Sequence, residues 1–180
     1  MIVDIDTLIA IDNWGWLLYF AALIVLFAIF MRKKYLSSSL VAILITTVIT
    51  WFMNEYQDFM LGVFADKAYV EQNRTFIRYA WYYGFVVFNT VLIFTIYKVH
   101  IALKLSYSYI ARYLILAHFI LSLLQITRLL ERQSFQTNYL DALYQWGIVS
   151  INLSCTVLAF LFALTALYKE LTNKTTRGFL

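Results

Sequence analysis

The chain of 180 residues has no proline, one cysteine and two histidines, and each shortage excludes a class of protein. Secondary transporters commonly break their helices near the bilayer midplane with proline and glycine. A chain without proline is therefore predicted to form straight helices and not a transporter of that kind. Cys155 alone cannot build a disulfide framework within the chain or a thiolate zinc site. It lies in an apolar run and is predicted to be a buried packing residue.

The scarcity of histidine limits metal and cofactor binding. His100 is predicted at one end of its helix and His118 in the middle of the next, so their depths differ by about 16 Å. That separation is too large for one haem iron, and one cysteine with two distant histidines falls short of a zinc site. The sequence also lacks a Ser–His–Asp set, a His–Glu–x–x–His motif, a glycine-rich phosphate loop and a close carboxylate pair at membrane depth. We predict no cofactor, no metal and no enzymatic activity.

Charged residues are also few, while apolar residues dominate. Charged residues make up 13% of the chain and hydrophobic residues 63%, with a mean hydropathy of +0.74. A soluble domain of this length must cover its surface with polar groups and does not reach that balance. We therefore predict an all-α fold, with one transmembrane domain over residues 1–180 that forms a polytopic bundle of about five transmembrane helices. The predicted spans are 14–31, 36–53, 79–97, 109–126 and 144–168.

Two connections between the predicted spans are distinctive. The first two spans are joined only by a short basic turn, so they are predicted to form a tight antiparallel hairpin. A four-span arrangement would need one of them to lie in the interface, and both are too apolar for that. Residues 54–75 form the longest connection, and a short helix lying on the membrane surface is predicted there from its apolar residues Phe59, Met60, Val63 and Phe64.

Lysine and arginine are distributed unevenly between the two sides of the predicted bundle. One side has a single acidic residue, Glu170, beside nine basic residues: Arg32, Lys33, Lys34, Lys98, Lys104, Arg112, Lys169, Lys174 and Arg177. Short loops rich in lysine and arginine stay in the cytoplasm, which predicts an outer amino terminus and a cytoplasmic carboxyl terminus. This asymmetry explains the net charge of +4 without nucleic acid binding. The short loops favour a bacterial inner membrane.

Polar side chains at membrane depth are costly, so each is expected to have a partner or a function. Several of them lie near the middle of a predicted span, and those in the fourth span share one helical face. We predict that they form a midplane polar cluster. The cluster either serves a functional site or only holds the helices together through interhelical hydrogen bonds. Its predicted members are Thr46, Asn89, His118, Ser122, Gln125, Asn152 and Thr156.

Charged residues define two further candidate sites at the ends of the predicted spans. An outer-rim charge network is interpreted either as exposed ion pairs that contribute little energy or as a vestibule or docking surface. Its predicted members are Glu55, Asp58, Glu71, Arg74, Arg78, Arg128, Glu131 and Arg132. A cytoplasmic docking face for a protein partner is predicted at Arg32, Lys33, Lys34, Lys98 and Lys104.

Small residues recur along one face of the fifth predicted span. They are Asn152, Cys155, Ala159, Ala163 and Ala166. Small side chains let helix backbones approach closely, so this stripe predicts a close helix contact.

Two functional hypotheses follow from this pattern. The first is a non-enzymatic membrane protein that acts as a sensor, anchor or regulatory subunit of a membrane assembly. Its partners would be membrane lipid, further copies or other subunits, and a cytoplasmic protein. Size and topology are compatible with phage defence, immunity or exclusion, although no motif supports these roles. The alternative is a homo-oligomeric channel for ions or small solutes, lined by the midplane polar residues.

Overall fold

The computed structural model describes the backbone of residues 5–33, 36–135 and 137–177, and the side chains of residues 15–33, 36–135 and 137–172. These parts are helical apart from short connections, and they contain no strand. The elements are α1 (Ile5–Lys33), α2 (Ser38–Ala65), α3 (Lys67–Gln72), α4 (Arg74–Ala102), α5 (Tyr109–Leu130), a π-helical turn (Glu131–Phe135) and α6 (Asp141–Arg177).

Five of these helices are long and apolar enough to cross a bilayer. The candidate spans are Gly15–Lys33, Ser38–Ala65, Arg74–Ala102, Tyr109–Phe135 and Asp141–Thr172. The prediction of an all-helical membrane protein with five spans is therefore confirmed by length and composition. α3 has only six residues and connects α2 to α4.

Local capping interactions set several helix ends. Ser37 accepts a hydrogen bond from Leu40 N at 3.2 Å before α2, and Ser108 accepts one from Ala111 N at 3.3 Å before α5. Such hydroxyl caps satisfy first-turn N–H groups that have no partner within the helix. At the end of α4, Lys104 has a φ of 53°, and Leu105 N donates to His100 O at 2.9 Å. This left-handed residue and its bond form a Schellman-type end, which turns the chain toward α5.

The segment predicted as a separate surface helix is instead the last part of α2. The helix continues without a break from Trp51 to Ala65. Contacts with α4 explain the continuation, since Met60 is buried and the Tyr56 hydroxyl donates to Ala80 O at 2.5 Å. Tertiary packing therefore keeps this segment helical and in line with the span.

The core lies where α5 meets α2, α4 and α6, and where α1 packs along α6. The predicted stripe of small residues lies in the α1–α6 contact, where Cys155, Ala159 and Ala163 are buried against the α1 side of the core, which includes Tyr19 and Ala22. The prediction of a close helix contact is confirmed, and the contact lies within one chain.

Side-chain contacts show how the helix ends are arranged. Lys33 Nζ in the last turn of α1 lies 2.5 Å from Glu170 Oε2 in the last part of α6. We call this the basic end; α1, α4 and α6 run toward it, and α2 and α5 start from it. At the opposite end, Arg78 of α4 donates from Nη1 to Arg132 O after α5 at 2.9 Å. We call this the Arg128 end.

Candidate functional site

A histidine and an asparagine from neighbouring helices are bonded inside the bundle. His118 Nδ1 of α5 lies 2.7 Å from Asn89 Oδ1 of α4. The two residues are 4% and 1% exposed, so the bond is shielded from the surroundings. Ser122 lies one turn further along α5, and its hydroxyl donates to His118 O at 3.1 Å. Three members of the predicted midplane polar cluster therefore lie together.

Two buried atoms of the predicted cluster have no hydrogen-bond partner among the described residues: His118 Nε2 and Thr46 Oγ1. Thr46 of α2 is fully buried, and α2 packs against α5. With Asn89 Oδ1 assigned as the acceptor, Nδ1 of His118 carries the proton and Nε2 carries the lone pair. The imidazole therefore offers one acceptor in the interior. An unbonded polar atom at this depth is energetically unfavourable.

The remaining members of the predicted midplane polar cluster make other bonds. Thr156 donates within its own helix, to Asn152 O at 3.2 Å and Leu153 O at 2.9 Å. No hydrogen bond joins the described side chains of Asn152 or Thr156 to His118. Gln125 accepts at Oε1 from the Tyr144 hydroxyl of α6 at 2.8 Å. The structure thus divides the predicted cluster among three places.

A buried ionic cluster lies at the Arg128 end. Arg128 is 1% exposed, and its guanidinium bonds to Glu131 Oε2 and Asp141 Oδ1. Glu131 Oε1 accepts from Leu140 N at 2.8 Å and from the Thr137 hydroxyl at 3.2 Å. We call Arg128, Glu131 and Asp141 the Arg128 cluster. It fixes the connection between α5 and α6, because each charged group is tied to a different part of that connection.

Tyr144 joins the Arg128 cluster to the interior. Its ring centroid lies 5.9 Å from Arg128 Cζ and 5.8 Å from the Tyr82 ring, which it meets edge to face. Its hydroxyl bonds to Gln125, as described above. Polar groups therefore follow α5 from Arg128 to His118, a depth of about 15 Å for ten helical residues. Between His118 and the last turn of α4, the buried side chains of α4 and α5 are apolar and include Leu92, Ile96 and Leu114.

The outer-rim charge network forms only in part. The structure connects Arg78, Arg128, Glu131 and Arg132, and adds Asp141, which was not among the predicted members. The other four predicted members are exposed and form no ion pair within 4 Å among the described residues: Glu55, Asp58, Glu71 and Arg74. Arg128 and Glu131 are buried, so the interpretation of the network as exposed ion pairs does not describe these two residues.

A further buried polar group at the basic end was missed by the sequence analysis. His100 is 1% exposed; its Nε2 lies 2.8 Å from Ser38 Oγ, and its Nδ1 lies 2.7 Å from Ile96 O. Ser38 Oγ also accepts from Ser108 N at 2.9 Å. The His100 ring stacks on Tyr107 at 4.6 Å, and burial raises the pKa of Tyr107. The signal in the sequence was a histidine in the last turn of a span, followed by a loop rich in serine and tyrosine.

The predicted cytoplasmic docking face is not one free surface. Arg32 Nε and Lys33 Nζ lie 3.9 Å and 2.5 Å from the carboxylate of Glu170, which offsets part of their charge. Lys98 Nζ lies 5.2 Å from the centroid of the Phe94 ring. Lys104 is exposed in the connection after α4. Lys34 lies outside the described residues.

Among the described residues, no group of three or more histidine, cysteine, aspartate or glutamate side chains is placed to hold a metal ion. The carboxylates of the Arg128 cluster are already paired with the Arg128 guanidinium, so these charged groups fix one another's positions. Comparison of the chain with protein-family models, curated proteins and solved structures finds no match.

Proposed function

We propose that the chain is a non-enzymatic multi-pass membrane protein that acts as a sensor, anchor or regulatory subunit of a membrane assembly. One observation carries the proposal: two pairs of polar side chains at membrane depth are bonded across helices inside the bundle. Asn89 bonds to His118 and Gln125 to Tyr144, each pair joining two helices. Groups bonded in this way hold helices in register.

The short connections support action through contacts. The described residues outside the helices are confined to segments 36–37, 103–108 and 137–140 and to single residues at helix junctions. Segments of this length do not form an extramembrane domain. The surfaces left for recognition are the lipid-facing sides of the helices and the two ends of the bundle. A protein built in this way works through partners in or at the membrane.

The charges favour a cytoplasmic location for the basic end. Lys98, Lys104 and Arg112 are exposed there, and none lies within 4 Å of a described carboxylate. Lysine and arginine in short connections stay in the cytoplasm, so the amino terminus would lie outside and the carboxyl terminus inside. We propose this topology, and we propose that the protein lies in a bacterial inner membrane.

The channel alternative gains no support from the described geometry. Its proposed lining residues, Asn89, His118, Ser122 and Gln125, are all buried within a single bundle. A pore between several copies is lined by side chains at the surface of each copy, and these four are turned inward. The homo-oligomeric channel therefore stays a prediction.

Native mass spectrometry of the protein extracted from its own host membrane tests the proposal. The expected result is a complex in which the chain and a second polypeptide occur at a fixed ratio. That ratio should be the same in two different detergents, because a specific contact does not depend on the extracting agent. A chain that is always recovered alone, or only as a closed homo-oligomer, contradicts the subunit function. The homo-oligomer would then call for conductance measurements on wild type and His118→Ala.

A further inference from the structure

The basic end has two kinds of cation. Arg32 and Lys33 share the carboxylate of Glu170. Lys98, Lys104 and Arg112 are exposed and have no carboxylate within 4 Å among the described residues. We call these last three the α4–α5 basic corner. Their charge is not offset within the chain, so they attract an external anion.

The three residues lie at similar depth, near the ends of two helices that pack together and in the connection between them. Lys98 precedes the last residue of α4 by four positions, and Arg112 follows the first residue of α5 by three. Along the helix axes these positions are about 6 Å and 4.5 Å from the respective helix ends. Lys104 lies in the connection between them, and its left-handed conformation is fixed by the capping bonds at the end of α4.

The position of Arg112 is unfavourable for the helix itself. It lies in the first turn of α5, where the partial positive charge of the helix dipole repels a cation. That turn contains no acidic residue that would compensate. An anion near Arg112 would be attracted both by the guanidinium and by the helix terminus. An external anion therefore gives this arginine the favourable interaction that the chain does not provide.

The surface beside the basic corner is apolar. On α4, Phe94, Tyr97 and Ile101 are exposed, and on α5, Leu116 and Phe119 are exposed. Phe94, Leu116 and Phe119 lie further from the helix ends than Lys98 and Arg112, toward the middle of the spans. A ligand that fits both parts of this surface has a negatively charged head and acyl chains.

We infer that the α4–α5 basic corner binds the phosphate of an anionic phospholipid from the surrounding bilayer. Lys104 and Arg112 contact the phosphate, and Lys98 adds charge at the same depth. Basic groups between membrane helices are suited to such headgroups. This inference is independent of the proposed subunit function, because it needs no partner protein. A chain that binds anionic lipid but has no partner protein would support the lipid-binding inference and contradict the subunit function.

Lipid titration followed by native mass spectrometry tests the inference. The full-length chain in detergent is titrated with phosphatidylglycerol and, separately, with phosphatidylcholine. Phosphatidylglycerol should bind more tightly, and its affinity should fall as the salt concentration rises. In the double variant Lys104→Gln/Arg112→Gln the affinity for phosphatidylglycerol should fall about 25-fold, or about fivefold for each charge removed. Binding of phosphatidylcholine should not change.

The matched control is Lys67→Gln/Arg74→Gln, which removes two exposed cations at the Arg128 end. It should leave the affinity for phosphatidylglycerol unchanged, because these residues lie across the membrane from the basic corner. Equal binding of the two lipids to wild type, or wild-type affinity in Lys104→Gln/Arg112→Gln, would overturn the inference. Binding of water-soluble glycerophosphoglycerol as tightly as the lipid would also overturn it, because the acyl chains would then play no part. The salt dependence of wild-type binding provides the test if the double variant does not fold.

Discussion

The Nδ1 atom of His118 and the Oδ1 atom of Asn89 are 2.7 Å apart and join α5 to α4 in the interior of the bundle. Hydrogen bonds between membrane helices contribute about 0.6 kcal/mol on average and about 1.7 kcal/mol at most. This bond therefore sets the packing of the two helices without dominating their stability. The ring retains an acceptor, Nε2, that no described side chain uses.

A double-mutant cycle on this pair measures that contribution. Asn89→Ala should lower the free energy of unfolding by about 1–2 kcal/mol, because it removes the bond and leaves His118 Nδ1 buried without a partner. Together with His118→Ala, the cycle should give a coupling energy of about 0.6–1.7 kcal/mol. Thr90→Ala is the control, since the Thr90 hydroxyl is exposed and bonds only to Val86 O of its own helix. Strictly additive effects of the two substitutions would contradict the energetic role of the bond.

Loss of the Arg128 guanidinium should destabilise the chain severely. Arg128→Gln leaves Glu131 buried without its cation, and breaking a buried pair in this way costs about 3–5 kcal/mol. Arg132→Gln is the matched control, since Arg132 is 36% exposed and 3.9 Å from Asp141. Its expected cost is about 0–1 kcal/mol. Thermal unfolding in detergent measures both, and similar losses in the two variants would show that the Arg128 cluster is not a stabilising unit.

The extent to which the sequence predicts this structure depends on the kind of signal. Hydropathy identifies the five spans because each must be apolar over its whole membrane depth. The contact between Asn89 and His118 could be predicted because each residue lies near the middle of its own span. The close helix contact around Ala159 could be predicted because the residues there are small. Each of these signals lies within one helix.

Other features depend on how separate elements meet. Asp141 pairs with Arg128 across the π-helical turn, and no periodicity relates the two positions. The His100 contact with Ser38 joins residues 62 positions apart. The continuation of α2 beyond Asn54 depends on Tyr56 and its contact with α4. Sequence patterns describe one element at a time, so they do not predict these contacts between separate elements.

Gly84 should be required for the contact between α2 and α4. A Cβ atom at this position would overlap the ring of Tyr56, so Gly84→Ala forces the ring to move. The expected cost is about 1–3 kcal/mol, typical of an overpacked core. The same substitution in a Tyr56→Ala chain should be neutral or stabilising by up to about 1 kcal/mol, because alanine favours the helix.

Gly62 provides the control for this substitution. It lies in α2, and a Cβ atom there would have no atom within 4 Å apart from its chain neighbours and its own helix backbone. Gly62→Ala should therefore stabilise the chain by about 0.5–1 kcal/mol through helix propensity alone. If Gly84→Ala unfolds at the wild-type temperature or above it, the close approach of Tyr56 to α4 is contradicted.

The proposed orientation predicts which connections are reached from each side of the membrane. Thr75 lies at the Arg128 end and Ser106 at the basic end, and both positions are exposed. Each is replaced by a single cysteine. In a Cys155→Ala chain, a membrane-impermeant maleimide added to spheroplasts should label Thr75→Cys at once and Ser106→Cys only after permeabilisation. The unaltered chain should resist labelling even after permeabilisation, because Cys155 is buried. Reversed labelling would place the basic end outside and contradict the positive-inside assignment. Labelling of both positions in intact spheroplasts would mean that the chain inserts in both directions.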